Sequence, residues 1–415
     1  MNRQLRIAQV APPLEPVPPR GYGGTERIVD ALVTELAGRG HDVTTFASGD
    51  SEVAGRLAPT VERALRPGGI RGDWAPWFYA TIRQVLDRAG DFDVIHSHLE
   101  WANPMLAAAS PVPVLSTFHG RLDLPWAGRL LADLPGAIAI SRSQANSQPN
   151  VRWAGIVHNG LALQDAPFHT EREDALVFVG RVAPEKGIVE AIEVAMLTGR
   201  PLRIVAKRPV LPAEIEYYAA AFEPALRAAG SLVEDLGELT GAERDEVVAR
   251  SHALLMPGRW PEPFGLAAIE ALACGTPVLT HRVGALPEII RDGVDGFFGD
   301  DVKHLAFLAG RVGELDRVAI RAAVLERFSA TRMATRYEAL YMAAVEGVRA
   351  SDRTSPVAVG PGLSGVPSAA DGLRDRFGVR LTQESGAVQL PEGPLLGTAG
   401  RRAAVPERGP LGSSR

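Results

Sequence analysis

A single cysteine, Cys274, leaves this chain without an internal disulfide and without the thiolates for a metal cage. A reducing cytoplasm is the compartment that suits it. Long apolar runs are missing too, since no stretch reaches the length of about eighteen residues that a transmembrane helix needs. Residues 5–11 are mostly apolar, but Arg6 and Gln9 interrupt them and Pro12 and Pro13 stop them. That makes a poor secretory signal and a good first buried strand. Neither sign of charge dominates. Lys and Arg number 44 against 49 Asp and Glu, a formal net charge of -5, so the chain has no overall electrostatic reason to bind nucleic acid. Repeats of solenoid period are absent as well.

What remains is a soluble composition, 46% hydrophobic and 22% charged, in 415 residues. That length suits two α/β domains better than one core. Short apolar runs alternate with amphipathic stretches almost to the end. Strands are expected at 5–10, 42–47, 93–96, 114–118 and 137–141. Between the first two, Val29, Leu32, Val33, Leu36 and Ala37 share one helical face, and Gly40 marks the stop. A second series follows residue 160, with strands at 175–179, 202–206, 233–236, 253–256 and 278–280 and helices at 187–198, 241–251 and 266–273. Strand–helix alternation of this kind predicts parallel sheets covered on both faces. A last helix is expected from Ser329 to about Val348, with Met333, Tyr337, Leu340, Tyr341 and Ala344 on one stripe and Ser329 as its cap. From 350 to 415 Pro and Gly recur without sustained periodicity, and this tail reads as disordered.

Three segments carry chemistry. The first is Gly21-Tyr22-Gly23-Gly24-Thr25-Glu26, between the first strand and first helix. Its glycines permit close backbone approach, and the helix start offers free N–H groups to a phosphate. A plain tight turn would use the same residues. Glu26 at the sixth position breaks the dinucleotide pattern G-x-G-x-x-G, which argues against a dehydrogenase. The second runs from Gly180 to Gly187 and places Arg181 and Lys186 just beyond a parallel strand, where doubly wound sheets bind ligands. A fork and a point charge suit a diphosphate, although a solvated charged loop would look alike. The third holds Glu262, Pro263, Phe264, Gly265, Leu266 and Ala267, with Glu270 in the helix that Gly265 opens. Its two carboxylates could meet different parts of one ligand, or simply mark helix polarity.

At these residues the chain resembles glycosyltransferase family 4, a retaining family with the GT-B fold. The likeness spans roughly 6–345. It rests on the Gly23-Gly24 loop, Arg181 with Lys186, the E-x7-E pair Glu262 and Glu270, Asn159-Gly160, and Pro287-Glu288 before Gly293. It implies an α/β fold of two Rossmann-like, doubly wound parallel-sheet domains facing a cleft. Residues 1–160 would be the acceptor-side domain, 161–328 the nucleotide-sugar domain, and 329–349 a C-terminal helix ahead of the tail. Gly23 and Gly24 would approach the donor phosphate, with Phe264, Gly265, Leu266 and Ala267 at the second helix start. Arg181 and Lys186 would neutralise the diphosphate, Glu262 would hold the sugar and Glu270 the ribose. His119 matches the family histidine that lies close to the sugar. The catalytic set is then His119, Arg181, Lys186 and Glu262, with no metal and no cofactor. The implied reaction moves a hexose from a nucleotide diphosphate sugar, UDP-glucose favoured, to a small-molecule, glycan or lipid acceptor. Residues 11–26 most resemble the branch of UDP-glucose:tetrahydrobiopterin glucosyltransferases.

Other signals point less far. His96, His98 and His119 could form a zinc set, with Glu100 as the only nearby carboxylate, but packing or sugar contact explains them better. Asp91-Phe92-Asp93 has the D-x-D spelling of metal-dependent transferases, yet Asp93 begins a strand at the end away from ligands. Arg56, Arg63, Arg66 and Arg71, followed by Trp74, Trp77 and Phe78, read as a solvated basic segment with core aromatics. They also leave room for peripheral membrane contact or an acceptor-pocket lining. Two rival functions stay open, a nucleotide-sugar epimerase on the same fold and a non-catalytic nucleotide-sugar binding protein.

Overall fold

The computed structural model describes residues 3–21 and 23–354, and side chains as far as residue 347. Residues 355–415, most of the stretch read as a disordered tail, lie outside the described residues.

The described chain builds two parallel sheets. The first has seven strands in the order β3-β2-β1-β4-β5-β6-β7. They are β1 (Arg6–Val10), β2 (Asp42–Ser48), β3 (Arg56–Val61), β4 (Val94–Ser97), β5 (Val114–Thr117), β6 (Ala137–Ala139) and β7 (Gly155–Ile156). The second has six in the order β10-β9-β8-β11-β12-β13. These are β8 (Leu176–Arg181), β9 (Leu202–Lys207), β10 (Val233–Gly237), β11 (Leu254–Met256), β12 (Val278–Thr280) and β13 (Gly296–Phe298). In each sheet the first strand lies between the second and the fourth, so the winding reverses there, between β1 and β4 and between β8 and β11. That reversal opens a crevice at the carboxyl ends of the strands.

Burial explains why the strands read as apolar runs. β1 is buried at four of its five positions and β2 at six of seven, as expected of strands covered on both faces. The helix Gly24–Gly38 buries Ile28, Val29, Leu32, Val33 and Leu36 against the first sheet. It ends as read, with Gly40 at φ 87° and its N–H bonded to Ala37 O. Two differences from the sequence reading stand out. Residues 56–78 are not one solvated segment, because Arg56–Val61 is an edge strand and a helix begins at Ala75. Arg181 is not yet in the loop, because β8 continues through it and pairs it with Lys207.

The last helix, Ala330–Thr354, is longer than expected and takes in the first residues of the stretch read as disordered. Ser329 Oγ accepts from Arg332 N at its start. Met333, Tyr337 and Tyr341 are fully buried, and the two tyrosines pack against His96 of the first sheet. The chain thus returns to its first domain after completing the second. Its two passages run side by side: Leu161 N donates to Phe328 O, and Ala330 N donates to Leu161 O.

Candidate active site

The site is built where the second sheet reverses. The loop after β8 carries Lys186, and the loop after β11 carries Trp260 and Glu262. They touch through two glycines. A Cβ on Gly187 would lie 2.5 Å from the Gly258 nitrogen, and one on Gly258 would lie 2.4 Å from Glu185 O. No side chain fits at either position, and the close approach brings the two loops' functional groups together. Lys186 Nζ donates to Glu262 Oε2 at 2.8 Å, and Trp260 Nε1 donates to the same oxygen at 2.7 Å. Lys186 Nζ also sits 4.3 Å from the centre of the Trp260 ring. Glu262 Oε1 has no hydrogen-bond partner among the described residues.

Glu270 repeats the arrangement. It lies in the helix Leu266–Ala273, which starts from Gly265 at φ 104°. Arg244 Nη2 donates to its Oε1 at 2.9 Å, and Arg27 Nη1 pairs with the same oxygen. Arg27 belongs to the helix Gly24–Gly38, so this ion pair joins the two domains. Oε2 of Glu270 has no partner among the described residues. The two helix starts also meet here, since a Cβ on Gly24 would lie 3.3 Å from Leu266 Cδ1. Both helices therefore aim their unpaired N–H groups and positive dipole ends into one space. Arg181 is held by two carboxylates, its Nη2 2.7 Å from Glu185 Oε1 and its Nη1 paired with Glu214.

Between the domains lies a cleft of about 1470 Å³. Gly23, Gly24, His119, Arg181, Lys186, Glu262, Phe264, Gly265, Leu266, Ala267 and Glu270 all line it. Phe264 differs from the rest. Its ring is 3% exposed and packs between His158 and Phe328, so only its backbone is available to a ligand.

Residues 22–154 match the model of Glycosyltransferase Family 4, and residues 173–312 match that of Glycosyl transferases group 1. The chain is a glycosyltransferase, with a first domain of the family 4 type and a second of the group 1 type. Glycogen synthase of Mycobacterium tuberculosis is 28% identical over 406 residues, covering 82% of this chain and 96% of the relative. D-inositol 3-phosphate glycosyltransferase of Mycobacterium avium is 26% identical over 391 residues, covering 81% and 91%. Among solved structures, AviGT4, a glycosyltransferase involved in avilamycin A biosynthesis, superposes with a TM-score of 0.65 at 26% identity. It covers 83% of this chain and 98% of its own. The Anabaena protein Alr3699/HepE, solved with UDP and glucose, shares the fold at 16% identity and a TM-score of 0.62, covering 80% and 98%. The fold of this glycosyltransferase is GT-B.

The first-domain wall of this glycosyltransferase holds three titratable groups, Glu26 buried and Glu100 and His119 half-buried. Burial pushes the Glu26 carboxyl up to about 7. Burial does the same to Glu100, to about 7, although the His119 and Gly120 N–H groups bond its Oε1. Burial lowers His119 to about 4, which keeps its imidazole neutral. Trp74, Phe78, Trp101 and Trp126 add an aromatic surface to the same wall, whereas Trp77 is not part of it.

Each signal set aside in the sequence has a structural explanation. Both ring nitrogens of His96 and of His98 are engaged by protein hydrogen bonds. Among the described residues no cluster of His, Cys, Asp or Glu could hold a metal. Asp93 lies at the amino end of β4, bonded to Arg6 and away from the cleft. Cys274 is buried, with its thiol pushed up to about 12 by that burial. Arg27, Arg244 and Trp260 went unnoticed in the sequence. Arg244 had a usable signal, because Thr240 and Glu243 form a capping box that fixes the start of its helix. Among the described residues no helix is long and apolar enough to cross a membrane.

Proposed function

We propose that this enzyme moves a hexose from a nucleotide diphosphate sugar, with UDP-glucose favoured, onto an acceptor hydroxyl. The anomeric configuration is retained and no metal takes part. The observation that carries this reading is the shared form of Glu262 and Glu270. Each is held by two donors at one oxygen, which leaves the second oxygen to accept from ligand hydroxyls. In this reading Glu270 takes the ribose, Glu262 takes the transferred sugar, and Arg181 and Lys186 face the diphosphate. The helix starts at Gly24 and Leu266 add positive potential at that point.

Chemistry follows from where charge appears. The bond from the anomeric carbon to the diphosphate breaks, and its electron pair leaves with the phosphate. The acceptor oxygen bonds the same carbon from the same face and gives its proton to the departing phosphate oxygen. Negative charge therefore builds on the diphosphate, where a fixed cation stabilises the transition state more than the ground state. The first domain would supply the acceptor side, with the aromatic wall at Trp74, Phe78, Trp101 and Trp126 against the acceptor body. Likeness to glycogen synthase and to D-inositol 3-phosphate glycosyltransferase supports a hydroxyl acceptor while leaving open small-molecule, glycan and lipid classes.

The test pairs binding with transfer. UDP-, GDP- and ADP-sugars at equal concentration should raise thermal stability in order of affinity, with UDP-glucose highest. That donor, incubated with candidate acceptors in EDTA, should give a new α-glycoside. Loss of activity in EDTA with rescue by magnesium or manganese would overturn the metal-free mechanism. A new sugar nucleotide formed without acceptor would show an epimerase instead.

A further inference from the structure

A row of polar side chains runs through the centre of the first sheet. Gln9 of β1 and His96 of β4 are register partners, and both are fully buried. Gln9 Nε2 donates to the Tyr341 hydroxyl at 2.9 Å, across 332 residues of sequence. On its other side Gln9 Oε1 lies 3.1 Å from His98 Nε2. His98 Nδ1 lies 2.9 Å from His119 Nε2. Away from the cleft, the Tyr341 hydroxyl lies 2.7 Å from His96 Nδ1, and His96 Nε2 lies 2.8 Å from Thr117 Oγ1. Buried polar groups in a core are tolerated only when each has a partner, and such a chain fixes the direction of every bond in it.

The direction can be worked out from one residue. An amide oxygen can only accept, so His98 Nε2 carries the proton it donates to Gln9. A neutral His98 then has a bare Nδ1, and His119 Nε2 must be the donor to it. A neutral His119 is left with a bare Nδ1, which has no partner among the described residues. Tyr341 accepts from Gln9 and so gives its proton to His96 Nδ1. Had the Gln9 amide been turned over, every bond would reverse and the His119 proton would sit on Nδ1. The three imidazoles crowd together, with ring centres 4.1 Å and 5.2 Å apart, and burial disfavours a positive charge on any of them.

We propose that Gln9 is a positioning residue for His119. Its amide, hydrogen-bonded on one side to Tyr341 of the last helix and on the other to His98, sets the His119 tautomer through His98. His119 therefore offers the cleft an acceptor nitrogen and takes a hydrogen bond from a hydroxyl of the bound sugar. This rests on the proposed reading of the cleft as the site of sugar transfer. It adds that the buried chain of bonds behind His119 reaches the helix that closes the second domain's chain.

Nuclear magnetic resonance of the full chain, 15N-labelled at histidine, reads the tautomer without any ligand. His119 signals are assigned by their loss in His119→Asn. The wild-type protein should show His119 protonated at Nε2 and bare at Nδ1. Gln9→Met, which removes both bonds, should move both nitrogens toward the average of the two tautomers. It should also lower kcat about fivefold, the rate equivalent of one lost neutral hydrogen bond, with donor KM unchanged. A merely structural role for Gln9 would lower stability and leave both the tautomer and kcat alone. Gln9→Leu, which also removes both bonds and places an apolar side chain of similar volume there, repeats the test should Gln9→Met not fold. A proton on His119 Nδ1 in the wild type, or an unchanged tautomer and kcat in the folded variants, would overturn the proposal. A wild-type chain that transfers no sugar would defeat the reading of the cleft, while the spectra would still decide the tautomer.

Discussion

Lys186 Nζ donates to Glu262 Oε2 at 2.8 Å, although the two residues lie 76 positions apart and belong to loops after different strands. The proposed roles, diphosphate for one and sugar for the other, therefore belong to a single coupled unit. In the proposed reading, a cation bonded to the group assigned to the sugar stands where the bond between sugar and phosphate would break.

Lys186→Ala should accordingly lower kcat about a hundredfold, on the order of 3 kcal/mol of barrier, by analogy with other donors aimed at developing charge. Removing Glu262 as well should cost much less than the sum of the two single losses, because contacting groups are not additive. A double-mutant cycle on kcat/KM checks this. Additive losses would mean that the two side chains act independently in catalysis.

Glu270→Gln keeps the shape of the side chain and loses its charge, along with the ion pairs to Arg27 and Arg244. Donor binding should weaken by about tenfold, the equivalent of roughly 1.4 kcal/mol, while the melting temperature changes little. Titration calorimetry with UDP and with the nucleotide sugar measures it. Equal affinity in wild type and variant would remove Glu270 from the donor site.

Glu26 makes a prediction about pH. Its folded pKa of about 7 lies above the ordinary glutamate value of 4.5, so the folded state keeps a proton that the unfolded chain releases. Stability is then lost as pH rises from about 4.5 to about 7, and the penalty stays constant above that. Glu26→Gln should remove this slope and be more stable than the wild type at pH 8.5, by up to about 3 kcal/mol. Denaturant midpoints at pH 5.5 and 8.5 decide it, and parallel shifts in the two proteins would show Glu26 ionising normally.

Much of the fold could be read from the sequence because parallel strands buried on both faces announce themselves as apolar runs. Edge elements do not. Arg56–Val61 is buried at only two positions and contains Pro59, and Gly296–Phe298 has just three residues. The cleft's loops carried local motifs, so Gly23, Gly24, Arg181, Lys186, Glu262 and Glu270 could be picked out as candidates, and all of them line the cleft. Its cross-links were not, since nothing local to Arg27 points to Glu270, and nothing local to Gln9 points to Tyr341. Such pairings exist only once the second domain is wound and the last helix has returned to the first.

The contact most exposed to experiment is one that joins the domains. Glu288, in the second domain, accepts from Arg142 N at 2.9 Å and Ser143 N at 2.8 Å. It thereby caps the helix Arg142–Asn146 of the first domain, and His158 Nε2 lies 2.8 Å from Oε2, the oxygen that also accepts from Arg142 N. Burial alone would push this carboxyl up, but the bonds from His158, Arg142 and Ser143 outweigh burial and hold it below the usual range. A lowered folded pKa means that the contact stabilises above the ordinary glutamate pKa and is lost as pH falls through the lowered one. Glu288→Ala leaves two helix-start N–H groups unpaired, at about 1 kcal/mol or more each if they stay buried. They need not stay buried, because opening the cleft returns them to water. The expected result is therefore a loosened interface with both domains intact. Calorimetry should show the single transition of the wild type broadening or splitting, and small-angle scattering should show a larger radius of gyration. A lower melting temperature with one sharp transition and an unchanged radius would show that Glu288 supports the fold of its own domain and not the closure of the cleft.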